Sequence, residues 1–149
     1  MNNRLLEKTL LEHNFMEVYC SLHPVAALRQ GLTKAGAITA ASLSRLPSGK
    51  RVIISGLVIF FHTPPTRSGK RIIFATLEDE SGLFDAVIMP NVQERWGKTI
   101  YTSEILTLEG KLIRQGKKGI SISIQVTRVL PEISGKIEKV ANKLGVEIS

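Results

Sequence analysis

The stretch Phe74-Ala-Thr-Leu-Glu-Asp-Glu-Ser-Gly82 decides the fold, because it joins two apolar runs through a short acidic turn. The β-branched run 71–77 leads into the turn, and a second run, 83–89, leaves it. Two such runs separated by a few residues that end in glycine are typical of a β-hairpin, in which Gly82 supplies the positive φ that the loop needs. The stretch therefore predicts two antiparallel strands in the middle of the chain.

Three further runs extend the hairpin into a barrel. One of them, 51–61, precedes the hairpin, and two others, 104–114 and 120–129, follow it. A short helix is predicted over 91–96, between the third and fourth strands. In chain order these elements predict an all-β core, a five-stranded Greek-key OB-fold barrel with a short helix between strands three and four.

Individual residues refine this barrel. Gly56, inside the first strand, predicts a bulge or a sharp bend there. Gly97 is expected to end the short helix. The fifth strand alternates, and its apolar residues are predicted to face inward; these are Ile120, Ile122, Ile124 and Val126.

Helical patterns flank the barrel and predict three regions: a helical lead-in or connector over 1–49, the barrel over 50–130, and an amphipathic helix over 131–149. The lead-in begins with a short helix at residues 4–12. A second helix opens at His23-Pro24 and stops near Gly36, with Val25, Leu28 and Leu32 on one stripe. Thr39 is expected to cap a last turn that carries Leu43 and Leu46.

Composition limits the classes of function. The 149 residues carry a net charge of +7 and are 43% hydrophobic, which is normal for a globular chain. Residues 50–130 hold twelve basic and seven acidic residues, so the excess of positive charge lies mainly on the barrel and suggests a polyanionic partner. There is no 18-residue apolar run, so no membrane segment is expected. The single cysteine, Cys20, excludes an internal disulfide and fits a reducing cytoplasm. With a DNA partner, the expected location is cytoplasmic and nucleoid-associated.

The basic residues of the barrel collect in two loops. OB-folds usually bind extended oligomers across strands two and three, flanked by the loop joining strands one and two and the loop joining strands four and five. These are the two most basic loops here. The predicted phosphate contacts are Arg67, Lys70 and Arg71 in the first loop and Arg114, Lys117 and Lys118 in the second. Together they favour a nucleic-acid partner over a set of merely exposed lysines.

Stacking platforms for bases are scarcer, since the chain has only eight aromatic residues. Phe61 and Phe74 are the candidates, and the pattern leaves each of them open between core and platform. Phe84 alternates with apolar neighbours and is assigned to the core. Trp96 is expected to pack its helix against the barrel mouth, and outward-facing Asp85 would repel a phosphate.

A family resemblance follows from three segments: Val52-x-Ile54-x-Gly56, the stretch 74–82, and Val87-Ile-Met-Pro90 followed by Glu94-Arg95-Trp96. They resemble the OB domain of bacterial DNA polymerase III alpha subunits, in particular of the error-prone, translesion branch. The segment beginning Leu22-His23-Pro24 is similar to the connector that precedes that domain. The likeness covers residues 20–130 and implies contact with single-stranded template, without the catalytic domains. The Thr-Leu-Glu-Asp-x-x-Gly element also resembles anticodon-binding OB domains of some aminoacyl-tRNA synthetases.

No catalytic residue, cofactor or metal site is predicted. The pair Cys20 and His23 is too small to be a metal site. Asp79 lies between Glu78 and Glu80, which invites a Mg²⁺ interpretation, but a solvated hairpin turn is the favoured one.

The sequence thus predicts a non-catalytic module that binds single-stranded DNA, or RNA, without sequence specificity. Its predicted partners are a DNA polymerase III alpha-type polymerase or other replication and repair proteins. Two alternatives stay open. One is a protein-protein docking module, and the other is an RNA binder of the tRNA anticodon type.

Overall fold

In a computed structural model of the chain, the barrel is closed by hydrogen bonds between its first and fourth strands. The structure describes residues 23–131. The strands, in chain order, are β1 Ala37–Ile38, β2 Arg51–His62, β3 Ile73–Asp79, β4 Gly82–Ile88, β5 Ile105–Gln115 and β6 Ser121–Val129. The helices are α1 Arg29–Lys34 and α2 Pro90–Thr102, with 3₁₀ helices at Ala26–Leu28, Ala40–Arg45 and Lys117–Gly119.

The strand order is β1-β2-β3-β4-β6-β5, and β5 pairs back onto β2. The pairs β2–β3, β3–β4, β5–β6 and β2–β5 are antiparallel, and β4–β6 is parallel. Five strands thus form a closed barrel, and α2 lies between the third and fourth of them. The predicted OB-fold architecture is confirmed.

The predicted hairpin is present, and its turn is tighter than the acidic loop of residues 78–82 that was expected. Asp79 pairs with Gly82, so that Glu80 and Ser81 make the turn. Gly82 has a φ of 149°. Alternate residues of both strands, including Leu77 and Phe84, are buried in the barrel. Phe84 therefore belongs to the core, as predicted.

Gly56 is the position at which β2 crosses close to the hairpin. A Cβ atom there would lie 2.8 Å from a ring carbon of Phe84 and 2.9 Å from the Cβ of Leu77. The bulge comes slightly later, where the register between β2 and β3 shifts between Val58 and Phe60. The predicted bulge is therefore present in this strand, but it does not lie at Gly56. Glycine is needed at position 56 because any larger residue would clash with Phe84 and Leu77.

The lead-in packs on the barrel and adds a strand to it. Val25 and Leu32 are buried in a second cluster with Ala37 and Ile105, and Leu28 packs against this cluster. Gly36, with a φ of 89°, ends the helical segment as predicted. The short strand β1 that follows was not predicted. It pairs in parallel with β2 through Ala37↔Ile53 and Ile38↔Ile54.

The helix α2 is kinked at Trp96, whose φ of −124° and ψ of 16° are not helical. The predicted end of the short helix beside Gly97 falls at this kink, and a second helical segment, which was not predicted, continues to Thr102 and buries Ile100 in the core. One predicted detail of the barrel is wrong. Ile120 does not face inward. It is 78% exposed, since β6 begins only at Ser121 and Ile120 still belongs to the preceding loop.

Several predictions fall outside the described residues. These are the helix at 4–12 and the amphipathic helix after Pro131. Cys20, of the Cys20–His23 pair that was rejected as a metal site, also lies outside the described residues. The division of the chain into three regions stays a prediction.

Candidate nucleic-acid interface

The outer face of β2, β3 and β4 carries two rows of neighbouring side chains. Pairing in register places Phe60 beside Thr76 and Thr76 beside Asp85. The next row joins His62 to Phe74, and Phe74 to Val87. Because paired residues point to the same side of a sheet, these six side chains share one face.

This face forms one wall of a groove of about 560 Å³, here named the aromatic groove. Its lining residues come from β2, β3, β4, the end of β5 and β6: Phe60, His62, Phe74, Ala75, Thr76, Asp85, Val87, Gln115, Ser121, Ile122 and Ser123. Phe60 is 54% exposed and Phe74 is 40% exposed, although both are large apolar side chains. Two aromatic rings open to solvent in one groove are what base stacking needs.

Phe61 lies on the other side of the strand. It is half-buried and packs against the main core, and its ring meets that of Tyr101 edge-on at a centroid distance of 5.5 Å. The bulge between Val58 and Phe60 explains this placement, because an irregular residue reverses the inward and outward alternation beyond it. The sequence-based prediction names Phe61, whereas the ring of this pair that lines the aromatic groove is that of Phe60. The two adjacent phenylalanines carry no sequence signal that distinguishes them.

The loop joining β2 to β3, residues 63–72, directly follows His62 and is separated from Phe74 by one residue, and both His62 and Phe74 line the aromatic groove. Arg67, Lys70 and Arg71 are all exposed there. The backbone N–H of Gly69 donates to the Thr66 carbonyl at 3.2 Å, and the Thr66 hydroxyl donates to the Lys70 carbonyl at 2.7 Å. These bonds shape a turn that presents the three cationic side chains to solvent.

The loop joining β5 to β6 borders the groove through Gln115 and Ser121. It turns through Gly116 and Gly119, whose φ values are 83° and 61°. Lys117 is exposed. The side chain of Lys118 lies outside the described part of the structure, so its phosphate contact stays a prediction.

Arg114 stands apart from the other cations of the two loops. Its Nε donates to the Leu46 carbonyl at 3.1 Å, Nη1 donates to the Gly119 carbonyl at 3.2 Å, and Nη2 donates to the Ser44 and Leu46 carbonyls at 2.7 Å each. The guanidinium thus ties the end of the lead-in to the β5–β6 loop. Since its donors are engaged by backbone carbonyls, Arg114 serves the shape of this loop.

A second groove, here named the apolar groove, continues from the first toward the 3₁₀ helix Ala40–Arg45. Its volume is about 340 Å³. It is lined by Ala40, Ala41, Leu43, Ser44, Thr76, Leu83, Phe84, Asp85 and Ile122. The two grooves share Thr76, Asp85 and Ile122. The lead-in therefore supplies one wall of the surface next to the aromatic groove.

The acidic turn is not solvated, which corrects the sequence-based interpretation of Asp79. Asp79 is only 2% exposed. Its carboxylate accepts the backbone N–H groups of Ala40, Ser81 and Gly82 at 2.7, 2.8 and 3.1 Å. Hydrogen-bond donors surround it, which is the opposite of what Mg²⁺ requires. Within residues 23–131, no three His, Cys, Asp or Glu side chains form a group that could hold a metal ion.

The two glutamates beside Asp79 also bind the lead-in. Arg29 forms ion pairs with Asp79, at 3.5 Å, and with Glu80. The Nε2 atom of His23 lies 3.1 Å from a carboxylate oxygen of Glu78. The turn 78–80 therefore holds the lead-in against the barrel.

Thr39 does not cap the 3₁₀ helix Ala40–Arg45 with its side chain, contrary to the prediction. The cap comes instead from Asp79, which accepts the Ala40 N–H, and from Ser81, whose hydroxyl accepts the Ala41 N–H at 2.9 Å.

Comparison with known proteins decides the family. The model of the OB-fold nucleic acid binding domain matches residues 52–131, which is more than half of the chain. The chain belongs to this family. The match covers β2 through β6, and so includes the strands that form the aromatic groove.

Relatives of this OB domain include polymerases. It is 35% identical over 123 residues to an error-prone DNA polymerase of Symbiobacterium thermophilum, covering 83% of this chain and 11% of the polymerase. It is 38% identical over 109 residues to the error-prone DNA polymerase of Anaeromyxobacter dehalogenans, covering 73% and 9%. The chain spans about a tenth of the length of these curated relatives. The resemblance to this polymerase family, noted from the sequence, is confirmed.

A solved structure agrees on the fold. Asparaginyl-tRNA synthetase from Pyrococcus horikoshii superposes with a TM-score of 0.50 at 19% identity, covering 63% of this chain and 22% of the synthetase. At that identity the likeness speaks for the OB-fold alone. In the described part of the OB domain and its lead-in, no helix has the length and apolar character needed to cross a membrane.

Proposed function

We propose that this OB domain binds single-stranded DNA without sequence specificity, with bases stacked in the aromatic groove and the backbone held by the two basic loops. The observation that carries the proposal is the exposure of Phe60 and Phe74 in one groove. Base-aromatic stacking contributes about 1–3 kcal/mol per base and tolerates any sequence, since every base has a π-face. Duplex DNA keeps its bases paired and stacked, so it would leave these rings unused.

Phosphate neutralisation supplies the second part of the affinity. Arg67, Lys70, Arg71 and Lys117 are exposed at the groove's borders, and Lys118 joins them by its place in the sequence. Two residues that the sequence also predicts to bind DNA, Phe61 and Arg114, are not among the proposed contacts. The ring of Phe61 packs on the core, and the guanidinium of Arg114 donates to backbone carbonyls. With two rings and four or five cations, we expect weak binding, micromolar or poorer for the isolated domain.

The polymerase relatives give the proposed context. Two matched relatives are named error-prone DNA polymerases, and we infer that this domain contacts the template strand of a DNA polymerase III alpha-type enzyme in replication or repair. Its partners would be single-stranded DNA and the rest of such a polymerase, in the cytoplasm at the nucleoid. Its contribution would be binding, with no cofactor and no chemical step.

Fluorescence anisotropy tests the proposal. A labelled single strand of about 12 nucleotides, within the site sizes of about 4–16 per OB fold, is titrated at low and at physiological salt, with duplex DNA and RNA as competitors. We expect a log–log salt slope of about −2 to −4, from about −0.7 per phosphate contact. Binding that is absent at both salts would overturn the proposal in favour of a docking module. A preference for structured RNA would overturn it in favour of an anticodon-type binder.

A further inference from the structure

Asp85 occupies an unusual place for a carboxylate on a surface that meets nucleic acid. It lines both the aromatic groove and the apolar groove. Its Oδ1 accepts a hydrogen bond from the Thr76 hydroxyl at 3.0 Å. Among the described residues, the ion pairs of the protein involve other carboxylates, and none reaches Asp85. The carboxylate is exposed, so it presents acceptor capacity to whatever fills the grooves.

The register of the strands places this acceptor within reach of a stacked base. Asp85 pairs with Thr76, which in turn pairs with Phe60, so these three side chains form one row. In the next row Phe74 pairs with Val87, which makes Phe74 the diagonal neighbour of Asp85. Diagonal side chains on one sheet face are about 7–8 Å apart, a distance that aromatic groups span. A base whose face lies on Phe74 or Phe60 therefore turns an edge toward Asp85. A base in the apolar groove meets the same carboxylate from the other side.

The charge of Asp85 also determines the orientation of the bound DNA strand. A carboxylate repels phosphate, whereas Arg67, Lys70, Arg71 and Lys117 at the borders attract it. The favourable arrangement keeps the phosphates at the loops and points the base edges toward the centre of the face. An ionised carboxylate accepts hydrogen bonds and donates none.

We propose that Asp85 accepts a hydrogen bond from the exocyclic amino group of a bound base, and so makes the site favour cytosine over thymine. Cytosine carries an N4 amino donor where thymine carries the O4 acceptor. The amino group satisfies the carboxylate, while the thymine O4 at the same place meets it lone pair to lone pair. The remaining thymine donor, N3–H, lies between two carbonyl oxygens that both repel a carboxylate. This inference rests on the proposed function and adds a modest base preference to otherwise sequence-tolerant binding.

The experiment compares two pyrimidine strands, which removes the larger stacking difference between purines and pyrimidines. Anisotropy titrations use oligo-dC and oligo-dT of about 12 nucleotides, slightly above neutral pH, where cytosine is unprotonated. Since a hydrogen bond made in contact with solvent contributes only a modest net free energy, we expect the unaltered protein to bind oligo-dC about three- to tenfold more tightly. In Asp85→Asn the new amide N–H donates to thymine O4, so the ratio of the two affinities should fall toward one.

A matched control separates hydrogen bonding from charge. Asp85→Asn removes one negative charge and should tighten binding of both strands. Glu94→Gln removes the same charge at an exposed position of α2 that lines neither groove, and should leave the ratio unchanged. Equal affinity of the unaltered protein for the two strands, or a ratio that Asp85→Asn does not alter, would overturn the role of Asp85 alone. A failure to bind any single strand would overturn the proposed function along with it.

Discussion

The carboxylate of Asp79 accepts the backbone N–H of Ala40 at 2.7 Å, between residues 39 apart in sequence. Its other oxygen accepts the N–H groups of Ser81 and Gly82 within the hairpin turn. One buried side chain thus closes the β3–β4 turn and caps the 3₁₀ helix Ala40–Arg45, since it satisfies a donor that the helix start leaves open. Because Ala40 lines the apolar groove, the same bond fixes the wall that the lead-in contributes.

Replacing Asp79 with alanine should destabilise the fold strongly. The substitution leaves three backbone N–H groups without their acceptor and leaves Arg29 paired with Glu80 alone. Loss of one partner from a buried charged network costs about 3–5 kcal/mol. Urea unfolding measures this free energy. Asp85→Ala is the matched control: it is an exposed carboxylate with one hydrogen bond, from Thr76, and should cost about 1 kcal/mol or less. Similar losses in the two variants would contradict the anchoring role of Asp79.

The hairpin, the five strands of the barrel and the position of α2 follow from local patterns, and these were predictable, whereas the short strand β1 was not. Alternation of apolar residues and the glycine of the turn depend only on neighbours in sequence. The role of Asp79 was not predictable in this way, since its partners Ala40 and Arg29 lie 39 and 50 residues away. A buried acidic turn and a solvated one have the same sequence.

The candidate site shows a similar limit. The two basic loops follow from the order of the strands, and the exposed positions of Arg67, Lys70, Arg71 and Lys117 agree with it. The choice between Phe60 and Phe61 depends on a one-residue bulge, which reverses the facing of every residue after it. The hydrogen bonds of Arg114 depend on where residues 44–46 of the lead-in pack against the barrel. No local sequence pattern predicts that position.

Gly110→Ala should destabilise the barrel where β5 meets β6. A Cβ atom at this position would lie 2.3 Å from the backbone oxygen of Gln125, and a backbone atom in a ladder has little room to move. Overpacking of this kind costs about 1–3 kcal/mol, which thermal or urea unfolding detects. Gly31→Ala is the control, because nothing lies within 4 Å of its added methyl group and the helix α1 should gain about 0.5–1 kcal/mol. A Gly110→Ala protein as stable as the parent would contradict the close approach.

Alanine substitutions of the adjacent residues Phe60 and Phe61 in β2 should have different effects, one on DNA binding and the other on stability. Phe60→Ala removes an exposed ring of the aromatic groove, so single-stranded DNA affinity should fall by about 1–3 kcal/mol, with little change in unfolding free energy. Phe61→Ala removes a ring packed on the core, so stability should fall by up to about 3–5 kcal/mol, with a smaller effect on the affinity of the folded protein. Anisotropy and urea unfolding on both variants give the comparison. The reverse assignment of the two losses would contradict the reversal of facing at the bulge.

The first basic loop should determine much of the salt dependence. The triple variant Arg67→Ala, Lys70→Ala, Arg71→Ala should bind single-stranded DNA more weakly and reduce the magnitude of the log–log salt slope by about 2, since each phosphate contact contributes about 0.7. The control triple, Lys34→Ala, Lys98→Ala, Lys111→Ala, removes the same net charge from exposed positions that line neither groove. Equal slopes in the two triples would show that only the net charge matters and would contradict a phosphate path along this loop.

Arg114 and Lys117 should behave in opposite ways although they lie three residues apart. Arg114→Ala deprives the carbonyls of Leu46, Ser44 and Gly119 of their donor, and should cost about 1–3 kcal/mol of unfolding free energy while leaving the salt slope nearly unchanged. Arg114→Lys keeps the charge but loses the planar fork that reaches several carbonyls at once, so it should also lose stability. Lys117→Ala should leave stability within about 0.5 kcal/mol and flatten the slope. If Arg114→Ala flattened the slope as much as Lys117→Ala and kept its stability, the guanidinium would be a phosphate contact after all.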